Sequence, residues 1–177
     1  MAGTRSIQIA ALSAADYEAA IPGLASLLVD AVDGGASVNF LAGVDEAAAA
    51  GWWRGRIGAV ADGTISPFVA FDGERVVGSV LLIRSRNPNS PHRAEIAKVI
   101  IHRTARRRGL GTALMSAAEA TARAEGRWLL FLDTETGSSA EAFYRSTGWH
   151  EAGTIPNYAM QTDGTPAPAT WYWKDLR

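Results

Sequence analysis

At the centre of the chain stands the run Arg106-Arg107-Arg108-Gly109-Leu110-Gly111-Thr112. A β-branched segment, residues 94–102, precedes it, and an alanine-rich segment, residues 112–125, follows it, so the pattern predicts a strand, a glycine turn and a helix. The first turn of a helix has N–H groups without intrahelical partners and carries partial positive charge. Glycines let a bulky anion approach these groups, and arginines add full charge. The run therefore predicts a phosphate-binding turn, with a basic surface turn as the alternative.

The run differs from two other phosphate-binding loops. It lacks the three-glycine dinucleotide fingerprint, and it lacks the Lys-Ser/Thr ending of an ATP-binding loop. A kinase or nucleotide hydrolase is therefore disfavoured.

Outward from this centre, the period of the apolar residues predicts one mixed α/β domain over residues 1–177. Strands are predicted at 6–12, 67–71, 75–84, 94–102, 128–133 and 170–174, and helices at 16–32, 45–61, 112–125 and 138–146. Ser13 and Asp45 are expected to cap the first two helices, and Asp72-Gly73 predicts a hairpin. Pro22-Gly23 is expected to interrupt the first helix or to mark its restart.

Composition excludes several classes of function. Lys plus Arg (17) nearly balances Asp plus Glu (18), so we expect no nucleic-acid or anionic-membrane partner. The lack of cysteine excludes a disulfide framework and a cysteine nucleophile, and no His, Asp and Glu pattern has metal-ligand spacing, so we expect no metal. Residues 1–10 do not resemble a signal peptide, and no apolar run approaches the roughly 20 residues of a membrane span, so a cytoplasmic location is expected.

The R-x-x-G-x-G pattern between a strand and a helix resembles the signature of the GNAT (Gcn5-related) N-acetyltransferase superfamily, and the resemblance covers about residues 66–153. It implies a mixed central sheet flanked by helices and acetyl-CoA as cosubstrate. The turn is then expected to bind the coenzyme A pyrophosphate through its amides. The preceding strand would receive the acetyl carbonyl and the pantetheine arm on its backbone. The implied cofactor-binding residues are Val99, Ile101, Arg106, Arg107, Arg108, Gly109, Leu110, Gly111 and Thr112.

The next strand and helix extend the resemblance. Residues 140–144 read Ala-Glu-Ala-Phe-Tyr, and Tyr144 matches the family tyrosine that faces the cofactor sulfur and can protonate the departing thiolate. The alternative is a core tyrosine packed beside Phe143.

Three further segments resemble the tabtoxin-resistance acetyltransferases, which acetylate a dipeptide β-lactam toxin or its warhead. They are residues 34–38, residues 92–95 and residues 133–144. The resemblance implies a small-molecule amine as acceptor, although acceptors diverge readily on one fold.

Two carboxylates are the candidate bases for an amine that must lose a proton before it attacks a thioester. Period two puts Glu95 on one face of its strand with Ala97, Val99 and Ile101, and Asp133 ends the next strand, where ligand sites open in α/β sheets. Which of the two is the base stays open, and so does a water relay. The alternatives are an ion pair of Glu95 with Lys98 or Arg93, and a loop cap for Asp133.

The aromatic and histidine side chains are weaker candidates. Trp52 and Trp53 lie in the part of the chain that usually covers the acceptor pocket in this family, with a place in the aromatic core as the alternative, whereas Trp171 and Trp173 are expected to be structural. His102 is expected in a turn.

Without cysteine, the sequence favours direct attack in a ternary complex. The alternatives are a non-catalytic coenzyme A-binding module and a peptide N-terminal acetyltransferase. Members of this family often pair, so a homodimer is one expected state.

Overall fold

A computed structural model describes residues 7–177, and these form a seven-stranded mixed sheet with helices on both faces. The strands are β1 Gln8–Ala11, β2 Ile65–Asp72, β3 Arg75–Arg84, β4 Arg93–Ile101, β5 Leu129–Glu135, β6 His150–Met160 and β7 Pro166–Asp175. The helices are α1 Ala14–Asp33, α2 Glu46–Arg54, α3 Ile57–Ala61, α4 Leu110–Ala124 and α5 Ser139–Ser146. The sheet order is β1-β2-β3-β4-β5-β7-β6, and only β4 and β5 are parallel. The predicted fold class is confirmed.

Two apolar cores lie on opposite faces of this sheet. Phe68 and Ala70 of β2 pack on the side of α4, and Val69 between them packs on the side of α1. The alternation is that expected of a strand covered on both faces. The α1 side is fixed by buried hydrogen bonds as well, since the Tyr17 hydroxyl donates to the Trp53 carbonyl at 2.9 Å.

Several local predictions are confirmed. The Ser13 hydroxyl accepts a hydrogen bond from the Asp16 N–H, and an Asp45 carboxylate oxygen accepts one from the Ala48 N–H at 2.7 Å. The hairpin between β2 and β3 closes with Asp72 opposite Arg75.

The helix predictions on the α1 side are wrong in two places. Helix α1 continues through Pro22, which is exposed, while the buried stripe of the helix carries on across it. The missing N–H therefore lies toward solvent, and the packing of the other face maintains the helix. The second predicted helix divides instead, because α2 ends at the capping residue Gly55 and α3 begins at Ile57.

Strand β6 was not predicted. It lies at the edge of the sheet, is exposed along most of its length and contains Pro156 and Asn157. Without a buried face it has no alternating pattern to recognise.

The register of β4 contains an irregularity that positions the site. Ala97 pairs with Leu81 and Ile100 pairs with Ser79, so two residues of β4 lie opposite one residue of β3. This is a β-bulge, and Lys98 within it has φ 51°. The prediction that Glu95, Ala97, Val99 and Ile101 share one face is therefore wrong. Ala97 packs on the α1 side, whereas Val99 and Ile101 pack on the α4 side, because the extra residue reverses the alternation.

No helix within residues 7–177 combines the length and the apolar character needed to cross a bilayer. The predicted first strand begins at Ser6, which lies outside the described residues, as does most of the segment on which the expectation of no signal peptide rested.

Candidate active site

The site is a cleft where β4 and β5 part. The two strands pair only from Arg93 opposite Leu129 to Glu95 opposite Phe131. Beyond this point β4 bulges at Lys98, and the facing edges of the two strands have no register with one another. A parallel pair that separates leaves main-chain groups free at its open end. The cleft thus offers backbone donors and acceptors between two layers of helices.

The bulge itself is held by one buried side chain. The Ser79 hydroxyl, on the neighbouring strand β3, donates to the Lys98 carbonyl at 2.9 Å, and Ser79 is buried. A non-glycine residue in the left-handed region costs roughly 1–3 kcal/mol. The hydrogen bond from Ser79 helps to offset that cost, and the bend of β4 is therefore built into the sheet.

The glycine turn lies at the start of α4, as predicted. Arg107 has φ 61° and Gly109 has φ 74°, so the chain makes a tight left-handed turn before the helix begins at Leu110. No side chain caps this helix, and its first backbone bond runs from the Ala113 N–H to the Gly109 carbonyl. The amides of the first turn are consequently open to an anion.

The arginines near the turn differ in their contacts. Arg103 pairs with Asp30, and Arg108 lies 3.7 Å from Asp72. The Arg106 side chain donates to the Ile101 carbonyl at 3.2 Å. Arg107 is exposed and forms no ion pair with residues 7–177. Of the arginines in the predicted cluster, Arg107 therefore has the fewest contacts that would compete with a bound anion.

The second glycine of the turn lies against α5. A Cβ atom added to Gly111 would stand 3.3 Å from Cζ of Phe143. Gly111 therefore permits close packing between the first turn of α4 and the helix that carries Tyr144. A larger residue at 111 would disturb this packing as well as any anion, which makes it a poor probe of binding.

Tyr144 is a core residue whose phenol lies close enough to Asp133 to be affected by its charge. Its ring packs against Phe143, Trp149 and Tyr172, with centroids 5.4 to 6.0 Å away, and the residue is 5% exposed. Burial, and then the charge of Asp133, raise the pKa of the Tyr144 phenol above its ordinary value. The hydroxyl therefore keeps its proton at neutral pH, as a proton donor must.

The two candidate acids lie on the α1 side of the cleft. Burial raises the pKa of Glu95, and the charge of Asp133 raises it further. The Asp133 residue is exposed in the open cleft, yet the partial loss of solvation around its carboxylate raises its pKa, against the opposing charge of Lys98. Neither carboxylate forms an ion pair with residues 7–177, so the predicted ion pair of Glu95 with Lys98 or Arg93 is not observed. Acids with raised pKa values near an opening are characteristic of reactive sites.

Sequence reasoning missed two cations in the same cleft. The Lys98 Nζ atom lies 4.7 Å from the centre of the Trp52 ring, and the Arg56 guanidinium lies 3.1 Å from it. Burial and the nearby Arg56 lower the pKa of Lys98 to about 8, against the opposing effect of Asp133 and Glu95. The bulge positions Lys98 in the cleft, and no pattern in the sequence predicted the bulge.

An aromatic wall completes the cleft. Trp171 of β7 is the cross-strand neighbour of Asp133, stacks with Phe131 at 6.1 Å and meets the edge of Tyr158 at 5.7 Å. The indole N–H of Trp171, which the sequence predicted to be structural only, is buried without a partner among residues 7–177. Tyr158 could not be found from the sequence because its strand was not predicted.

A loop between α1 and α2 spans the open side. The Ser37 hydroxyl donates to the Met160 carbonyl at 3.3 Å, and the Ala42 N–H donates to the Thr162 carbonyl at 2.8 Å. The segment 34–38 therefore reaches the end of β6, at the edge of the sheet.

The histidines lie outside this arrangement. His102 caps the short 3₁₀ turn 103–105, which confirms the turn prediction, while His92 stacks on Trp128 and His150 on Trp173. Residues 7–177 hold no group of three or more His, Asp or Glu side chains placed for a metal ion.

The titration of Lys98 tests the electrostatics of the cleft. The chain has two lysines, so ¹³C-lysine labelling gives two side-chain NMR signals, which Lys174→Arg assigns. We expect Lys98 to titrate near pH 8 and at a lower pH in Asp133→Asn, because that variant loses a negative charge that stabilises the ammonium. Glu18→Gln removes a charge from the exposed side of α1 and should leave the titration unchanged. A Lys98 pKa near the ordinary value of about 10.4 would contradict this account.

Comparison with known proteins agrees with this architecture. Residues 41–149 match the profile of the acetyltransferase (GNAT) family. An N-acetyltransferase from Staphylococcus aureus Mu50 is 17% identical with a TM-score of 0.79, over 97% of this chain and 99% of that one. The ribosomal-protein-alanine N-acetyltransferase of Brucella melitensis is 26% identical with a TM-score of 0.72, over 95% and 99%. The protein yncA of Salmonella typhimurium, solved with its cofactor acetyl-CoA, is 20% identical with a TM-score of 0.73, over 97% and 94%.

The family match covers more than half of the chain, and the sheet, the open β4–β5 pair and the glycine turn agree with it. The protein belongs to the GNAT family and is an N-acetyltransferase.

Proposed function

We propose that this enzyme transfers the acetyl group of acetyl-CoA to the amine of a small molecule, by direct attack in a ternary complex. The observation that carries the proposal is the opening between β4 and β5, with an uncapped helix on one side of the sheet and two carboxylates on the other. Cofactor and acceptor then approach the reacting carbon from opposite faces, and neither needs to leave before the other binds.

On the α4 side, the amides of residues 107–112 hold the pyrophosphate, and Arg107 adds charge. The bulge turns Val99 and Ile101 toward this side, which supports their assignment to the acetyl carbonyl and the pantetheine arm. A backbone N–H beside the carbonyl stabilises the oxyanion that forms during attack. Tyr144 lies on the same side and donates its proton to the leaving thiolate.

On the α1 side, Glu95 and Asp133 hold the acceptor ammonium and remove its proton. A carboxyl group whose pKa is raised toward neutral pH is a stronger base than an ordinary carboxylate. Phe131, Trp171 and Tyr158 offer an aromatic surface to the rest of the acceptor.

A small acceptor suits the covered cleft better than a polypeptide segment, since Ser37 and Ala42 tie the α1–α2 loop to the end of β6 and the turn after it. The resemblance of residues 34–38 and 133–144 to tabtoxin-resistance enzymes points the same way. The second candidate acceptor is a protein N-terminus, which the name of the Brucella melitensis structure favours.

Coenzyme A binding should depend on Gly109. Its φ is 74° and no atom lies within 4 Å of an added Cβ, and the same holds for Gly126 at the other end of α4. Gly109→Leu and Gly126→Leu thus impose the same backbone strain, but only the first puts a side chain in the path of the phosphates. We expect Gly109→Leu to weaken coenzyme A binding, measured by calorimetry, by about tenfold or more, or about 1.4 kcal/mol. Equal affinities in the two variants would place the pyrophosphate elsewhere.

Tyr144→Phe should lower the single-turnover rate by about 10²–10⁴-fold, because it removes the proton donor while keeping the ring. Affinity for coenzyme A should change little. Tyr17→Phe removes a buried hydroxyl on the α1 side of the sheet, opposite to the side that carries Tyr144, and serves as the control for effects on stability. A Tyr144→Phe enzyme with the parent rate of chemistry would leave only the core role for this residue.

The acids determine how activity depends on pH. Whichever of Glu95 and Asp133 is the base, its replacement by Gln or Asn should raise the pH at which acetylation becomes efficient, because the amine must then lose its proton to solvent.

The acceptor class follows from a competition screen of small amines, β-lactam dipeptides and peptide N-termini, scored by kcat/KM. Peptides that win over every small amine would favour the second candidate.

A further inference from the structure

The two lysines of this chain have opposite surroundings. Lys174 Nζ donates to both carboxylate oxygens of Glu119 at 2.9 Å and to the Thr147 carbonyl at 2.8 Å. Lys98 Nζ forms no ion pair and no hydrogen bond with residues 7–177, and it lies 4.7 Å from the centre of the Trp52 ring. Lys98 is partly buried, and no acid neutralises its charge as Glu119 neutralises that of Lys174. An amine without a paired acid, in a cleft built to acetylate amines, calls for a role of its own.

The bulge sets the position of this amine. Lys98 directly precedes Val99 on β4, but its side chain reaches Trp52 on the α1 side while Val99 packs on the α4 side. Its charge is influenced by both Glu95 and Asp133, the acids proposed to take a proton from the acceptor. Lys98 therefore offers a primary amine on the acceptor side of the opening, next to the strand edge expected to hold the acetyl carbonyl.

We propose that Lys98 is a self-acetylation site, to which the enzyme transfers an acetyl group from its own bound acetyl-CoA when no acceptor fills the cleft. The proposal rests on the proposed function, because it needs acetyl-CoA bound at the glycine turn. The Nζ atom, once neutral, attacks the carbonyl carbon, an N–C bond forms and the C–S bond breaks. Lys98 ammonium and acetyl-CoA give N-acetyl-lysine, coenzyme A as the thiol, and one proton released to Glu95 or Asp133 and then to solvent.

The surroundings of Lys98 favour the neutral amine that this step requires. With its pKa lowered to about 8 by burial and Arg56, about a tenth of the side chain is neutral at pH 7. Glu95 and Asp133 oppose this shift and supply the proton acceptors. Since the neutral form reacts, the rate of modification should rise with pH up to about 8 and level off above it.

Acetylation would change the cleft in two ways. It removes the positive charge that faces Glu95 and Asp133, and it adds an acetyl group beside Trp52 on the acceptor side. The modified enzyme should therefore turn over acceptor more slowly, and a bound acceptor should protect Lys98.

The test is mass spectrometry of the purified full chain after incubation with acetyl-CoA and no acceptor. We expect one acetyl group on Lys98, which trypsin then fails to cleave, giving an intact peptide of residues 94–103. Lys174→Arg should be modified like the parent. Lys98→Arg should lose the modification, because a guanidinium keeps its proton and its charge.

Two further measurements separate the causes. In Gly109→Leu the modification of Lys98 should fall at least tenfold, because the enzymatic transfer needs acetyl-CoA bound at the turn. Direct chemical acetylation by free acetyl-CoA does not need the turn and would continue at the parent rate. Modification at the parent rate in that variant, or modification of Lys174 alone, would overturn the proposal. An unmodified Lys98 in an enzyme that binds coenzyme A by calorimetry would overturn self-acetylation and leave the proposed function standing. If coenzyme A does not bind at all, the proposed function fails with it.

Discussion

The hydrogen bond from Ser79 to the Lys98 carbonyl secures the bulge on which the site depends. The bulge bends β4 away from β5, so the two strands pair over only three residues and then open. It also reverses the alternation of side chains, which directs Val99 and Ile101 toward α4 and leaves Glu95 on the opposite face. A regular strand would bring these residues to one face and would close the opening.

Charge in the cleft is balanced but not paired. Two carboxylates, Glu95 and Asp133, lie near two cations, Lys98 and Arg56, and no two of these four form an ion pair. Burial raises the pKa of both acids, and the charge of Asp133 raises that of Glu95 further, whereas burial and Arg56 lower the pKa of Lys98. The opposite charges act against each of these shifts. A site with unpaired charges loses stability relative to one with ion pairs, and it gains groups that can exchange protons near neutral pH.

The sequence predicted the elements that have local or periodic signals, but it did not predict the irregularities within them. The strand, glycine turn and helix around Gly109 were predicted because their signals are local, as were the caps Ser13 and Asp45. The reversal at Lys98 was not, because a bulge is set by a hydrogen bond from another strand. Tyr158 was missed for a related reason: its exposed edge strand carries no apolar period. The site residues that depend on tertiary register were those that the sequence could not predict.

The same register separates the proposed proton donor from the proposed base. Tyr144 belongs to the α4 side of the sheet and Glu95 to the α1 side, yet Asp133 raises the pKa of both. An acceptor ammonium bound beside Asp133 would screen that charge, lowering both pKa values together. The phenol would then give up its proton more readily as the acceptor arrives, and its readiness to protonate the thiolate would depend on the amine that attacks. In the proposed mechanism, cofactor chemistry and acceptor binding would thereby be coupled through one exposed carboxylate near the end of β5.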